Sequence, residues 1–430
     1  MERFVIKKLK DWKDQKHRKP LILRGTRQVG KTWSILNLGK NHFNGNVHVI
    51  DLEKHPDWHR VFEPNLDVKR ILSEFEILLN TKIDPERDLL FFDEIQSCSR
   101  ALMALRYFYE ELPQLHIIAA GSLLGFAFKD ISFPVSRAQF LNLHPMSFAE
   151  LGKDKLVDII LSKPIKLSEI IHNMLLDELR KYFFIGGMPE CVQYFAETNS
   201  IRSVMELQLD LINTFRQDFS KYTPYSNKHC LNQVLSSTVK NVGKQLKYSR
   251  LAEDFTNPTI KKAFILLCKA QIIHKVSSTN PGGLPLGASA SERIFKSIMV
   301  DIGLMQSICG IPVDIEYNKS DLLSIYQGAL AEQFVGQEFM AAGHSELFYW
   351  SRRAKSSTAE VDFLIESKGK IIPVEVKSSV SGRLKSMHIL LREYQNCPVG
   401  YVFSCAPYSK LPGQRLIFLP LYYAFQKGMA

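Results

Sequence analysis

Between residues 20 and 150, short apolar runs alternate with longer amphipathic stretches. The runs are Pro20-Leu-Ile-Leu, Val47-His-Val-Ile, Leu89-Leu-Phe-Phe and Leu115-His-Ile-Ile-Ala-Ala. Each is bounded by polar or turn residues, the pattern of strands buried on both faces of a parallel sheet. The stretches between them are long enough for crossover helices, which predicts a three-layer α/β fold. Residues 155–225 read as helical, broken at Ile185-Gly-Gly-Met-Pro189, where two glycines and a proline interrupt the period. Residues 230–275 predict two or three further helices and a strand at Gln271-Ile-Ile-His-Lys-Val. A loop rich in Ser, Asn, Pro and Gly follows, and then a second strand, the outline of a winged helix-turn-helix. From about residue 320 the pattern changes again. A helix over Ala329 to Met340 precedes strand candidates at Leu347-Phe-Tyr-Trp, Glu360–Ile365, Ile371–Val376 and Val399–Phe403, a second α/β region. The expected units are 1–154, 155–225, 226–312 and 313–430, without internal repeats.

Composition agrees with several globular units. A chain of 430 residues exceeds one ordinary domain, and 45% hydrophobic against 23% charged residues suits well-filled cores. No apolar run reaches the roughly 18 residues a membrane span needs. The first residues, Met1-Glu-Arg-Phe-Val-Ile-Lys-Lys, lack the apolar core of a signal peptide, so the expected location is the cytoplasm, with no membrane partner. Seven scattered cysteines, never spaced C-x-x-C, argue against a disulfide framework or a zinc site. The net charge of +11 is concentrated: residues 221–275 hold ten Lys/Arg against only Glu253 and Asp254. Such a segment is either a nucleic-acid footprint or simply a basic solvated face. Within it, Asn257 is the expected cap of a helix with Pro258 at its first position, presenting Lys261 and Lys262. Arg216 and Asp218, just before it, read as hinge or interface salt-bridge residues.

The strongest chemical signal is Gly25-Thr-Arg-Gln-Val-Gly-Lys-Thr32, which fits G-x-x-x-x-G-K-[ST] at every position. Glycines let backbone N–H groups close on phosphate oxygens, Lys31 reaches the β- and γ-phosphates, and the Thr32 hydroxyl ligates Mg²⁺. The helix starting at Lys31 adds its positive N-terminal end. Gly25, Thr26, Arg27, Gln28, Val29, Gly30, Lys31, Thr32 and Trp33 are therefore the expected contacts to ATP. Arg27 could face the nucleotide or point outward. Downstream, Asp88-Leu-Leu-Phe-Phe-Asp93-Glu94 is an apolar strand ending in two acids. Asp93 is expected to hold Mg²⁺ and Glu94 to orient or deprotonate the attacking water.

A second constellation lies near the end of the chain. Asp362 is followed after 12 residues by Glu375-Val-Lys377. Period-2 alternation puts Glu375 and Lys377 on one strand face. Nucleases of the PD-(D/E)xK class use this arrangement to bind Mg²⁺ and position the nucleophile. A hairpin with an exposed E/K pair would show the same spacing.

These segments, with Phe91-Phe-Asp-Glu-Ile-Gln96, Gly121-Ser122, Leu143-His-Pro-Met-Ser-Phe148, Tyr182 to Glu190 and Phe295 to Leu304, resemble a large prokaryotic family. Its members join an AAA+ P-loop ATPase and helical lid to a winged helix and a C-terminal restriction-endonuclease-like domain. The resemblance spans essentially the whole chain. It implies that Ser122 senses the γ-phosphate, that Arg137 is an arginine finger or sensor, and that Glu332 is the helical carboxylate of the nuclease-like site. Family members often carry Gly-Arg where this chain has Ser136-Arg137. If Arg137 acts in trans, turnover requires a homo-oligomer. The fold of a nuclease does not carry its activity. Three readings stay open: a Mg²⁺-dependent ATPase working on DNA, a nucleotide-gated switch with negligible turnover, and a metal-dependent DNA nuclease under ATP control.

Overall fold

The computed structural model describes residues 3–122, 124–127, 137–152, 154–222, 226–311, 328–354, 357–377 and 384–426. The chain divides into two compact units, Met1–His144 and Pro145–Ala430.

The first unit is built on five parallel strands: β1 (Leu21–Arg24), β2 (Val47–Asp51), β3 (Leu89–Asp93), β4 (His116–Gly121) and β5 (Gln139–Asn142). Their spatial order is β2-β3-β4-β1-β5. β3 and β4 are buried along their whole length, as their continuous apolar sequence requires. Helices Lys31–His42, Val68–Leu78 and Ser99–Glu111 supply the crossovers. Phe62, Phe75, Phe92 and Phe108 pack through the core in tilted and edge-on pairs with centroids 5.7–6.2 Å apart. Removing one such ring costs about 3–5 kcal/mol. β5 has no apolar run, because it is a partly exposed edge strand. It pairs with β1 in the register Leu21↔Gln139 to Arg24↔Asn142. The Arg24 guanidinium lies over the Phe140 ring, 4.4 Å from its centroid.

The second unit opens with helices, among them Glu169–Ile185, Pro189–Thr198 and Ile201–Asp218, and the break falls at the expected glycines. Gly187 is there for space: a Cβ would stand 2.0 Å from Met146 O. Its amide donates to the buried Asp301 carboxylate at 2.6 Å, and its carbonyl accepts from Met146 N at 2.7 Å. Tyr182 Oη donates to Met146 O, also at 2.7 Å. Several of the segments quoted for the family resemblance thus meet as a structural clamp. Arg216 and Asp218 end the long helix, Asp218 buried and Arg216 Nε without a hydrogen-bond partner.

Helices Lys228–Lys240 and Asn257–Lys269 precede an antiparallel pair, β6 (Ile273–Ser278) and β7 (Phe295–Met299). Thr256, not Asn257, stands at the N-cap of the second helix, so Asn257 and Pro258 are its first two residues. β8 (Leu347–Ala354), β9 (Ser357–Ser367), β10 (Lys370–Val376), β11 (Gly400–Ser404), β12 (Ser409–Leu411) and β13 (Leu416–Pro420) complete one eight-stranded sheet. Its order is β12-β13-β11-β10-β9-β8-β6-β7. β6 pairs in parallel with β8, Val276↔Leu347 to Ser278↔Tyr349. The sheet therefore runs straight across the boundary expected at 312/313. The strand pair expected to be a free wing is its edge, because the chain-distant β8 offers β6 a ladder that local sequence does not reveal. The cysteines form no disulfide among the described residues.

Candidate functional site

The loop after β1 is shaped by backbone geometry. A Cβ at Gly25 would lie 2.4 Å from Leu143 O and 2.9 Å from Val29 Cγ2, so only glycine fits. Gln28 (φ +62°) and Gly30 (φ +87°) are left-handed, the local turn that lets neighbouring N–H groups converge on an anion. No side chain caps the helix that begins at Lys31, which leaves its positive end to a ligand. Arg3 braces the loop: Nη1 donates to Val29 O at 3.0 Å and Nη2 to His144 O at 2.8 Å. Sequence reasoning missed this arginine, which is remote in sequence and belongs to no motif.

Lys31 is buried, and its Nζ donates to Gly25 O at 3.1 Å and Thr26 O at 2.9 Å. Burial pulls its pKa down to about 8, with the Glu94 and Asp93 charges opposing. Thr32 Oγ1 donates to Asp93 Oδ2 at 2.8 Å, joining the loop to the end of β3. Asp93 Oδ1 accepts from Glu94 N at 3.0 Å. Burial raises the Asp93 carboxyl above its ordinary range, the Thr32 hydrogen bond opposing and the Glu94 charge adding to the rise. Glu94 adopts φ +47°, a left-handed backbone that costs a non-glycine residue about 1–2 kcal/mol. Its carboxylate accepts from the Gln96 side-chain amide. Arg27 turns toward Glu53, 3.8 Å away, and Trp33 is 47% exposed.

Ser122 follows Gly121, the β4 residue level with Arg24 of β1, and so lies at the same sheet edge as the loop. Its Oγ is buried without a hydrogen-bond partner. Arg137 is at the other edge. It precedes β5, whose first residue pairs with the first residue of β1, whereas the phosphate loop follows the last. Arg137 Nε meets Glu110 at 3.3 Å, at the end of helix Ser99–Glu111. Parallel pairing of β5 with β1 sets Arg137 a strand's length from the phosphate loop of its own chain.

Residues 17–152 match the model of the AAA domain. With the loop geometry, this makes the N-terminal unit an ATP-binding domain of the AAA class. Residues 176–314 and 327–422 match two domains of unknown function (DUF8612 and DUF4143). The chain is similar to the solved Orc1 protein of Aeropyrum pernix in complex with DNA, at 12% identity over 72% of this chain and 91% of that one, with a TM-score of 0.30. A Thermotoga maritima RuvB variant is similar at 14% identity over 67% and 91%, with a TM-score of 0.29. No curated protein matches this chain. No helix among the described residues is long and apolar enough to cross a membrane.

In the second unit, Glu332 of helix Ala329–Ala342, Asp362 of β9 and Glu375 and Lys377 at the end of β10 come together. Lys377 Nζ donates to Glu375 Oε1 at 2.6 Å, and Asp362 Oδ2 accepts from Val376 N at 2.8 Å. The structure adds residues to which the sequence assigned no role. Lys296 of β7 is 1% exposed and places Nζ 2.6 Å from Glu360 Oε1, 3.0 Å from Glu332 Oε1 and 3.2 Å from Asp362 Oδ1. Gln245 Nε2 donates to Glu360 Oε2 at 2.6 Å. Burial pushes Glu332 up to about 8 against the pull of Lys296, and pushes Glu375 up to about 7. For Lys296 burial is outweighed by three facing carboxylates, which hold its pKa above the ordinary lysine value. A lysine inside the fully buried strand Phe295-Lys-Ser-Ile-Met was the available signal, because such a charge demands partners.

Proposed function

We propose that this chain is a Mg²⁺-dependent ATPase whose nucleotide cycle acts on DNA through the second unit. The observation that carries the reading is the 2.8 Å hydrogen bond from Thr32 Oγ1 to Asp93 Oδ2. With this bond the loop hydroxyl and the β3 carboxylate are within reach of one cation, and Ser122, at the same end of the sheet, has a buried Oγ without a protein partner. Thr32, and Asp93 through water, would hold Mg²⁺, which supplies charge neutralisation at the β- and γ-phosphates. Lys31 binds the same phosphates once it exchanges its two loop carbonyls for phosphate oxygens. Glu94, fixed by Gln96 and a strained backbone, orients the attacking water and accepts its proton. Ser122 donates to the γ-phosphate. The DNA part rests on charge: Lys228, Lys240, Lys244, Lys247, Arg250 and Lys262 are all exposed.

Phosphate release by wild type and Glu94→Gln, with and without duplex DNA, tests this. A drop of about 100-fold or more in Glu94→Gln, with nucleotide affinity retained, is expected. Equal rates would remove Glu94 from the chemistry, and a wild-type rate indifferent to DNA would remove the coupling.

A second reading, a nucleotide-held switch with negligible turnover in the isolated chain, is favoured by the position of Arg137. With that arginine paired to Glu110, an arginine at the γ-phosphate beside Lys31 must come from elsewhere, such as a second copy. Turnover per chain rising with protein concentration supports that arrangement, and concentration-independent turnover contradicts it.

A further inference from the structure

We infer that the carboxylate cluster of the second unit is closed to divalent cations, because the Lys296 ammonium already stands where a cation would be ligated. Three carboxylates from two elements converge on Lys296 Nζ, Glu332 from the helix and Glu360 and Asp362 from β9. The remaining oxygens are largely spoken for. Asp362 Oδ2 accepts the Val376 amide, Glu360 Oε2 accepts from Gln245 and Glu375 Oε1 accepts from Lys377. Glu375 Oε2 is buried without a partner, a single oxygen where Mg²⁺ demands a near-octahedral set at about 2.0–2.1 Å. Among the described residues no group of three acids, histidines or cysteines is placed to hold a metal ion. The residues present therefore do not fit the metal that the D…E-x-K spacing implies.

The lysine cannot readily withdraw. Its strand is fastened on both sides of the charge: Phe295 exchanges backbone hydrogen bonds with Leu246, and Met299 exchanges two with the Gln333 side chain, at 2.8 and 2.7 Å. Gly336 of the same helix packs on Ile298. The ammonium also lies over the Tyr349 ring, 5.4 Å from its centroid. A divalent ion placed among these carboxylates would face that fixed positive charge across the shared oxygens. The cluster instead ties β7, β9 and the helix together with an internal cation, so it has no metal with which to activate water on a phosphodiester.

The test counts Mn²⁺ bound to the full chain without nucleotide, by electron paramagnetic resonance of the free ion. Wild type and Asp362→Asn should give superimposable titrations. Lys296→Gln should gain one Mn²⁺ that the further change Asp362→Asn removes, and Mn²⁺ should raise the Tm of Lys296→Gln by roughly 5 °C. A wild-type Mn²⁺ lost in Asp362→Asn would overturn the inference. So would a folded Lys296→Gln that gains none. The wild-type comparison needs no folded variant at position 296, and alone decides whether the cluster takes a divalent ion.

Discussion

Two regions of this chain bring lysine together with carboxylates, and they use it in opposite ways. In the phosphate loop, Lys31 touches no acid: it donates to two carbonyls of its own loop, while Asp93 binds Thr32 and Glu94 binds Gln96. Each of those contacts has one neutral partner and can be exchanged for a ligand atom at modest loss, since a hydrogen bond to a charged group is worth about 1.5–3 kcal/mol net. In the C-terminal cluster, Lys296 is bound to three carboxylates at once. Breaking a buried pair by removing one partner costs about 3–5 kcal/mol, so no ligand easily takes its place. The residue types are alike in the two regions, lysine with aspartate and glutamate. What separates them is whether opposite charges are already spent on one another.

Lys31→Ala should weaken ATP binding about 100-fold by calorimetry, because a charge-assisted contact to phosphate is lost. Retained affinity would mean that the loop carbonyls, not a nucleotide, are this lysine's true partners. Next comes pH. In the free protein Lys31 loses its proton near pH 8, and binding to phosphates requires the charged form. Affinity should therefore be flat below pH 8 and fall above it, by roughly 30-fold between pH 7 and 9.5, with proton uptake at the upper end. An affinity constant across that range would place the lysine's titration elsewhere. Ser122→Ala should have the smallest effect, about a fivefold loss in phosphate release, since its hydroxyl offers one hydrogen bond. No loss would leave its buried, unpartnered Oγ without a role.

The open site was largely legible in the sequence because its parts are contiguous. Gly25 to Thr32 and Asp93-Glu94 are short motifs at strand ends, and local chemistry dictates their residue types. Whether Arg137 could reach the phosphates of its own chain was not legible, because its position depends on the pairing of β5 with β1, and β5 carries no apolar signature. The period-2 alternation correctly put Glu375 and Lys377 side by side. Nothing local could show that Lys296, 66 residues before Asp362, closes the same cluster. The same limit hid the parallel pairing of β6 with β8, which merges the expected wing with the C-terminal sheet. Spacing reports which residues can share a face, while long-range pairing decides what they face.

The most direct test of the contrast is the number of Mn²⁺ ions held per chain in the presence of a non-hydrolysable ATP analogue. The account predicts one, lost in Thr32→Ala and unaffected by Asp362→Asn. A second ion that persists without nucleotide and disappears in Asp362→Asn, or a single ion that survives Thr32→Ala, would contradict it.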